Sequence, residues 1–152
     1  MGTEIERKFL VKNNSYRELA RPVKIQQGYL STNPEKTIRV RTYGKNAYLT
    51  IKGKVVNLSR PEFEYDIPVD DALKILKLCD NKIWKNRYKI RYEDHLWEVD
   101  EFLGENSDLV IAEIELSSAD ETFIKPPWIG AEVTQNYKYF NSYLANHPYN
   151  TW

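Results

Sequence analysis

Charged side chains recur at every second position in one stretch of this chain after another. Glu4, Glu6 and Lys8 are spaced so, as are Arg39 and Arg41, Glu62, Glu64 and Asp66, Glu98 and Asp100, and Glu113 and Glu115. The longest run is Lys85, Arg87, Lys89 and Arg91. The residues between them are often apolar or aromatic: Ile5, Val40, Ile51, Phe63, Tyr88, Ile90, Val99 and Ile114. A period of two is the period of a β-strand, whose successive side chains point to opposite faces. The chain must therefore build a sheet with one charged face. The signs are also sorted by strand, some rows acidic and others basic.

Turn signals divide the strands. Residues 3–11 read as strand, followed by a short helix over 13–20 that Arg21-Pro22 ends. Further strands are expected over 25–31, 37–43, 47–53, 62–67, 84–93, 96–103 and 108–116. Helical spacing of Ala72, Leu73, Ile75, Leu76 and Cys79 predicts a helix from Pro68 to about Asp80. Tyr137, Phe140, Tyr143 and Leu144 predict another over 136–146. About eight strands in hairpins with a few flanking helices make an α+β chain, mainly antiparallel β. A barrel or a strongly curved sheet is expected.

Two architectures satisfy the alternation. An open sheet could turn its charged face to water and its apolar face to a core. Cross-strand ion pairs would then have to account for the sorted signs, yet exposed pairs contribute only about 0–1 kcal/mol each. A closed sheet would turn the charges inward. Such an interior must be wet and filled by a charged ligand, because burying an unpaired ion is costly. Acidic rows imply divalent cations bound through oxygen, of the Mg²⁺ or Mn²⁺ kind. Basic rows imply a small polyanion, most simply a chain of phosphates. A metal–polyphosphate complex matches both.

Composition narrows the alternatives. The 152 residues suit one domain, 1–152, with a real core. With 22 basic and 22 acidic side chains there is no basic excess, which argues against a nucleic-acid partner. Cys79 is the sole cysteine, which fits a reducing, cytoplasmic setting. No apolar run is long enough to span a membrane. His95 and His147 are the only histidines, so neither a zinc cluster nor a Ser-His-Asp set is offered. No Gly-rich loop with a following Lys occurs, so phosphate would have to be held by side chains. Apolar surface left uncovered by the helices could support a homodimer.

Glu4-x-Glu6-x-Lys8 is followed in order by Gln27-Gly28-Tyr29-Leu30, Ile38-Arg39-Val40-Arg41, Leu49-Thr50-Ile51-Lys52-Gly53 and Glu62-x-Glu64. Lys85-x-Arg87-Tyr88, Trp97-Glu98-Val99-Asp100-x-Phe102, Ala112-Glu113-Ile114-Glu115-Leu116 and Glu132-Val133-Thr134 continue the series. With this ordered set the chain resembles the CYTH superfamily, the triphosphate tunnel metalloenzymes. The resemblance implies an eight-stranded antiparallel β-barrel forming a tunnel, and action on a triphosphate with a divalent metal. By position it implies Glu4, Glu6, Asp100, Glu113 and Glu115 as metal ligands. Lys8, Arg39, Arg41, Lys52, Lys85, Arg87 and Lys138 would bind phosphate, and Glu62, Glu64 and Glu98 would be tunnel acids. Lys8 and Tyr29 match a Lys-Tyr pair associated with activating the attacking water. The segment Gln135-Asn136-Tyr137-Lys138-Tyr139 departs from the family's usual Gly-Asp and Arg, and Lys138 keeps the charge without bidentate geometry.

The expected reaction is metal-assisted hydrolysis of tripolyphosphate to phosphate and pyrophosphate. Alternatives on the same scaffold are nucleoside or thiamine triphosphate hydrolysis, an adenylate cyclase, and a non-catalytic polyphosphate or nucleotide sensor.

Overall fold

A computed structural model describes residues 2–152. Its strands are β1 (Thr3–Val11), β2 (Val23–Ser31), β3 (Lys36–Tyr43), β4 (Asn46–Gly53), β5 (Ser59–Asp66), β6 (Lys82–Tyr92), β7 (His95–Phe102), β8 (Val110–Glu115) and β9 (Ile129–Glu132). Two α-helices, α1 (Val69–Leu76) and α2 (Asn141–Asn146), stand among them. Strands pair in the order β5-β4-β3-β2-β6-β7-β8-β1, all antiparallel. Thr3, Glu4 and Ile5 of β1 then pair back onto Pro61, Arg60 and Ser59 of β5, and the barrel closes with eight strands. A ring of this size leaves room inside for side chains or one small ligand. Farther along β1, Phe9 and Val11 pair with β9 instead. That ninth strand escapes the sequence reading because its four residues, Ile-Gly-Ala-Glu, carry no alternation.

Two apolar clusters clothe the outside. Phe9, Tyr88, Ile90, Trp97, Val99, Ala112 and Ile114 line the outer faces of β1, β6, β7 and β8, with Tyr16 and Trp128 packed among them. The Phe9 and Trp97 rings meet edge-on at 5.6 Å, a contact that adds roughly 0.5–1.5 kcal/mol beyond burial. Ala72 and Leu76 of α1 join Val40, Ala47 and Cys79 over β3 and β4. Gly28 on β2 makes room there, since a Cβ would lie 2.8 Å from the Cβ and Sγ of Cys79. The third cluster lies inside one end of the barrel. Ile83, Phe102 and Ile111 share the parity of the charged rows, and Leu144 and Ala145 of α2 pack against them. α2 is thus a stopper. On the outer face of β4 and β5, Ile51, Phe63 and Tyr65 stay exposed. No helix among the described residues is long and apolar enough to cross a membrane.

The helices are shorter than their spacing predicts. The segment 13–20 keeps only a 3-10 turn, Ser15–Glu18, in which Tyr16 alone is buried. Its hydroxyl donates to Glu101 on the outside of β7. α1 stops at Leu76, and Leu78 beyond it is exposed. The segment 136–146 breaks at Phe140, whose backbone is extended (φ −73°, ψ 135°). A 3-10 turn, Tyr137–Tyr139, precedes the break and α2 follows it.

Candidate active site

The charged rows face one cavity of about 720 Å³, a size typical of small-ligand sites. Strand order sorts them into two walls. β5, β1, β8 and β7 are consecutive round the ring and present Glu62, Glu64, Glu4, Glu6, Glu113, Glu115 and Glu98. β4, β3, β2 and β6 complete the ring and present Lys52, Arg39, Arg41, Tyr29, Lys85, Arg87 and Lys89. Lys8 and Arg60 are cations set within the acidic wall.

On the basic wall, donors outnumber their local acceptors. Arg39 and Arg41 share one carboxylate, Glu64, at 3.3 and 3.5 Å. The Nε of each arginine is buried without any acceptor. Burial, and then repulsion from Arg39 and Arg87, draws Arg41 down to about 10. Two adjacent guanidinium groups that share one carboxylate and keep their buried Nε donors unpaired suit an anion such as phosphate. Lys52 lies 2.7 Å from Glu4 and 3.5 Å from Glu62. The Lys8 ammonium lies 2.7 Å from Glu113 and 3.3 Å from Glu6. Burial works against its charge, but Glu113, Glu6 and Glu4 outweigh burial and hold its pKa above the ordinary lysine value.

On the acidic wall, like charges face each other. The register sets Glu6 opposite Glu115 and Glu98 opposite Glu113, pairings that weaken a sheet. Burial, and then Glu4, Glu62, Glu6 and Glu98, lifts the Glu115 carboxyl to about 7. Glu4 is 2% exposed and takes its counter-charge from the Lys52 ammonium, 2.7 Å from Oε2. A cation among these carboxylates would relieve that repulsion. The donor set is all oxygen, which suits a hard divalent ion. Among the described residues no three acidic, His or Cys side chains stand close enough to hold an ion as they are. Glu4 and Glu113 lean instead on Lys52 and Lys8.

Asp100, expected as a metal ligand, lies behind the wall. It is 1% exposed. Arg87 donates to it through Nε at 2.8 Å and Nη2 at 2.9 Å, and Lys85 Nζ is 2.9 Å away. Burial opposes the Asp100 charge, but Arg87 and Lys85 prevail and hold the carboxyl below the usual range. Burial also draws Lys85 down to about 7. Asp100 therefore anchors two basic residues. Lys138, expected among the phosphate ligands, is not brought to the tunnel: it is exposed, with its ammonium 5.9 Å from the Trp152 ring centroid. Lys89, itself exposed, lines the cavity 4.0 Å from Glu98, whereas Arg91 is exposed away from it.

Lys8 and Tyr29 both line the tunnel, but no hydrogen bond joins them. The Tyr29 hydroxyl accepts from Gln27 Nε2 at 2.9 Å. Sequence reasoning missed Gln27, Thr50, Thr134 and Asn141 as site residues. Thr50 donates to Glu64 at 2.7 Å and receives Arg39 at 3.1 Å. Thr134 accepts the Lys8 backbone N–H at 3.0 Å. Gln27 shares the parity of Tyr29, a signal that was legible. Asn141, a neutral amide at a helix start, gave none.

This tunnel can be set beside known proteins. The chain matches the CYTH domain family over residues 2–146. It is 50% identical over 151 residues to a protein of Acetivibrio thermocellus named inorganic triphosphatase, covering 98% of this chain and 97% of that one. A protein of the same name from Nitrosomonas europaea is 38% identical, over 94% of this chain and 97% of its own. The crystal structure of an inorganic triphosphatase superposes with a TM-score of 0.68 at 33% identity, covering 93% of this chain and 96% of that one. A closed barrel with sorted charges inside, matched nearly end to end, makes this chain a member of the CYTH family.

Proposed function

We propose that this protein hydrolyses the terminal phosphoryl group of a triphosphate, with inorganic tripolyphosphate as substrate. The observation that carries this reading is the two-walled tunnel: on one wall Arg39 and Arg41 crowd about a single carboxylate, and on the other burial and the neighbouring carboxylates lift Glu115 to about 7. Two relatives named inorganic triphosphatase, aligned over almost their whole length, support the choice of substrate.

Arg39, Arg41, Lys52, Lys85 and Arg87 hold the phosphate chain. Glu4, Glu6, Glu113 and Glu115 would hold Mg²⁺ or Mn²⁺, while Asp100 sets Lys85 and Arg87 from behind. Glu62, Glu64 and Glu98 orient the basic side chains they pair with. CYTH triphosphatases are metal-dependent in general; a divalent ion held by these carboxylates would supply charge neutralisation at phosphate oxygens and a more acidic water. The chain's own cations offset the charge that grows on the leaving pyrophosphate. Lys8, kept as an ammonium, and Tyr29 orient the attacking water and the terminal phosphoryl oxygens. Water adds to the terminal phosphorus, the bridging P–O bond breaks, and phosphate and pyrophosphate leave with a proton released to solvent.

The test is kcat/KM for tripolyphosphate, ATP, thiamine triphosphate and pyrophosphate with Mg²⁺ or Mn²⁺. Tripolyphosphate should rank first. Cyclic AMP and pyrophosphate from ATP would instead establish a cyclase, and tight binding without turnover a sensor.

A further inference from the structure

At the stoppered end of the tunnel, side chains from β2, β6, β7 and α2 form one connected polar chain: Tyr29, Gln27, Asn141, Lys85, Asp100 and Arg87. The direction of each hydrogen bond in it follows from the next. Asp100 is a carboxylate and can only accept. Lys85 carries at least two N–H hydrogens in either protonation state, and it gives one toward Asp100 and another to Asn141 Oδ1 at 2.8 Å. Asn141 therefore presents its oxygen, because the reversed amide would set NH₂ against those hydrogens. That oxygen takes a second hydrogen from Gln27 Nε2 at 3.2 Å. Gln27 must then present its NH₂, whose other hydrogen goes to the Tyr29 hydroxyl oxygen at 2.9 Å. Tyr29 is left as an acceptor toward Gln27, with its own proton free for the tunnel it lines.

Gln27 would not adopt this orientation by itself. Its Oε1 is buried and meets no donor. Turning the amide over would let Oε1 take the Tyr29 proton, but would press it against Asn141 Oδ1.

We propose that Asn141 and Gln27 are positioning residues that fix Tyr29 as a hydrogen-bond donor into the tunnel, its phenol proton directed at an oxygen of the terminal phosphoryl group. The proposal rests on the triphosphatase reading and narrows the part Tyr29 plays in it. With Gln27 donating to the phenol oxygen at 2.9 Å, the O–H proton is the group that Tyr29 offers the tunnel. The contribution of α2 is then to seal the barrel and to aim a catalytic hydroxyl two residue layers away.

The test is a set of double-mutant cycles on the full chain with tripolyphosphate and Mg²⁺ or Mn²⁺. Gln27→Glu puts an acceptor where the NH₂ stood, at constant shape, so Tyr29 donates to it and withdraws its proton from the tunnel. Its kcat should fall to about that of Tyr29→Phe, on the order of a hundredfold, and the double variant should be no slower than Tyr29→Phe alone. Asn141→Leu adds no charge and frees Gln27 to turn. Its kcat should fall by about tenfold in the wild-type background and not at all in Tyr29→Phe, while its lost contact with Lys85 shows in KM. Full kcat in Gln27→Glu, or equal losses in both backgrounds, would overturn the proposal. Melting curves establish that each variant folds; if Gln27→Glu does not, the Asn141→Leu cycle decides. Wild-type turnover with additive cycles removes this proposal alone, whereas a wild type inert toward tripolyphosphate removes the function reading with it.

Discussion

Replacing Asp100 by Asn deletes one negative charge and keeps the side chain's shape. The wild-type carboxylate is 1% exposed and holds Arg87 through two bonds of 2.8 and 2.9 Å, with Lys85 at 2.9 Å. In the variant the buried guanidinium of Arg87 keeps only Glu98 at 3.3 Å and Glu113 at 3.8 Å as counter-charges. Removing one partner of a buried ion pair costs about 3–5 kcal/mol. Asn can still accept one of the hydrogen bonds, and Lys85, already drawn down by burial to about 7, can shed its proton. The loss should therefore lie near the lower end, ~3 kcal/mol. In a domain of this size each kcal/mol moves the melting point by about 2–4 °C, so a fall of roughly 6–12 °C is expected. The assay is differential scanning fluorimetry in EDTA, with and without tripolyphosphate. The polyanion should restore part of the loss by supplying negative charge to the same cations. A carboxylate whose main role was to bind metal would behave differently. Deleting it from a self-repelling cluster would leave the melting point in EDTA unchanged or raise it, and either result refutes the anchoring argument.

Glu115 supplies a pH dependence with a definite sign. Its folded pKa, lifted to about 7 by burial and by Glu4, Glu62, Glu6 and Glu98, lies above the unfolded carboxylate value, so the folded chain holds a proton the unfolded chain has lost. In EDTA, stability should decline as pH rises from the ordinary carboxylate range toward 7, and Glu115→Gln should flatten that slope; matching slopes in both proteins would contradict it. The double variant Glu4→Gln, Glu6→Gln should reduce Mg²⁺- or Mn²⁺-dependent phosphate release to background, and an unaltered rate would remove both residues from the metal site. Arg41→Met, which deletes a guanidinium with an unused buried Nε, should raise KM for tripolyphosphate roughly ten- to a hundredfold, the range of a charged hydrogen bond. An unchanged KM would place Arg41 off the phosphate path.

The barrel was legible because its constraint is local and repeated. A strand such as Lys85-Asn86-Arg87-Tyr88-Lys89-Ile90 states its two faces in six residues, and β7 and β8 repeat the statement with the opposite sign. The sorting of strands into acidic and basic halves was half-legible: the signs were visible, while their adjacency needed the closing pair β1–β5. The helices were overread because apolar spacing continues past the point where the backbone turns, at Leu76 and at Phe140. The ion pairs of Asp100 were hidden for a different reason. Its spacing from Glu98 matches that of the tunnel acids, but the register opposite Arg87 and its depth toward the stoppered end give it two cations to hold. The amides of Gln27 and Asn141 are 114 positions apart, carry no charge, and meet only through the docking of α2. No short pattern in a single sequence encodes such a meeting.

The account stands most directly on the fate of tripolyphosphate in the tunnel. Phosphorus NMR of the purified protein with tripolyphosphate should show equal growth of phosphate and pyrophosphate in Mg²⁺ or Mn²⁺ and no change in EDTA. Tripolyphosphate that persists with the cation present, or that is cleaved equally without it, would contradict the claim that the two walls together hold a metal–triphosphate complex for hydrolysis.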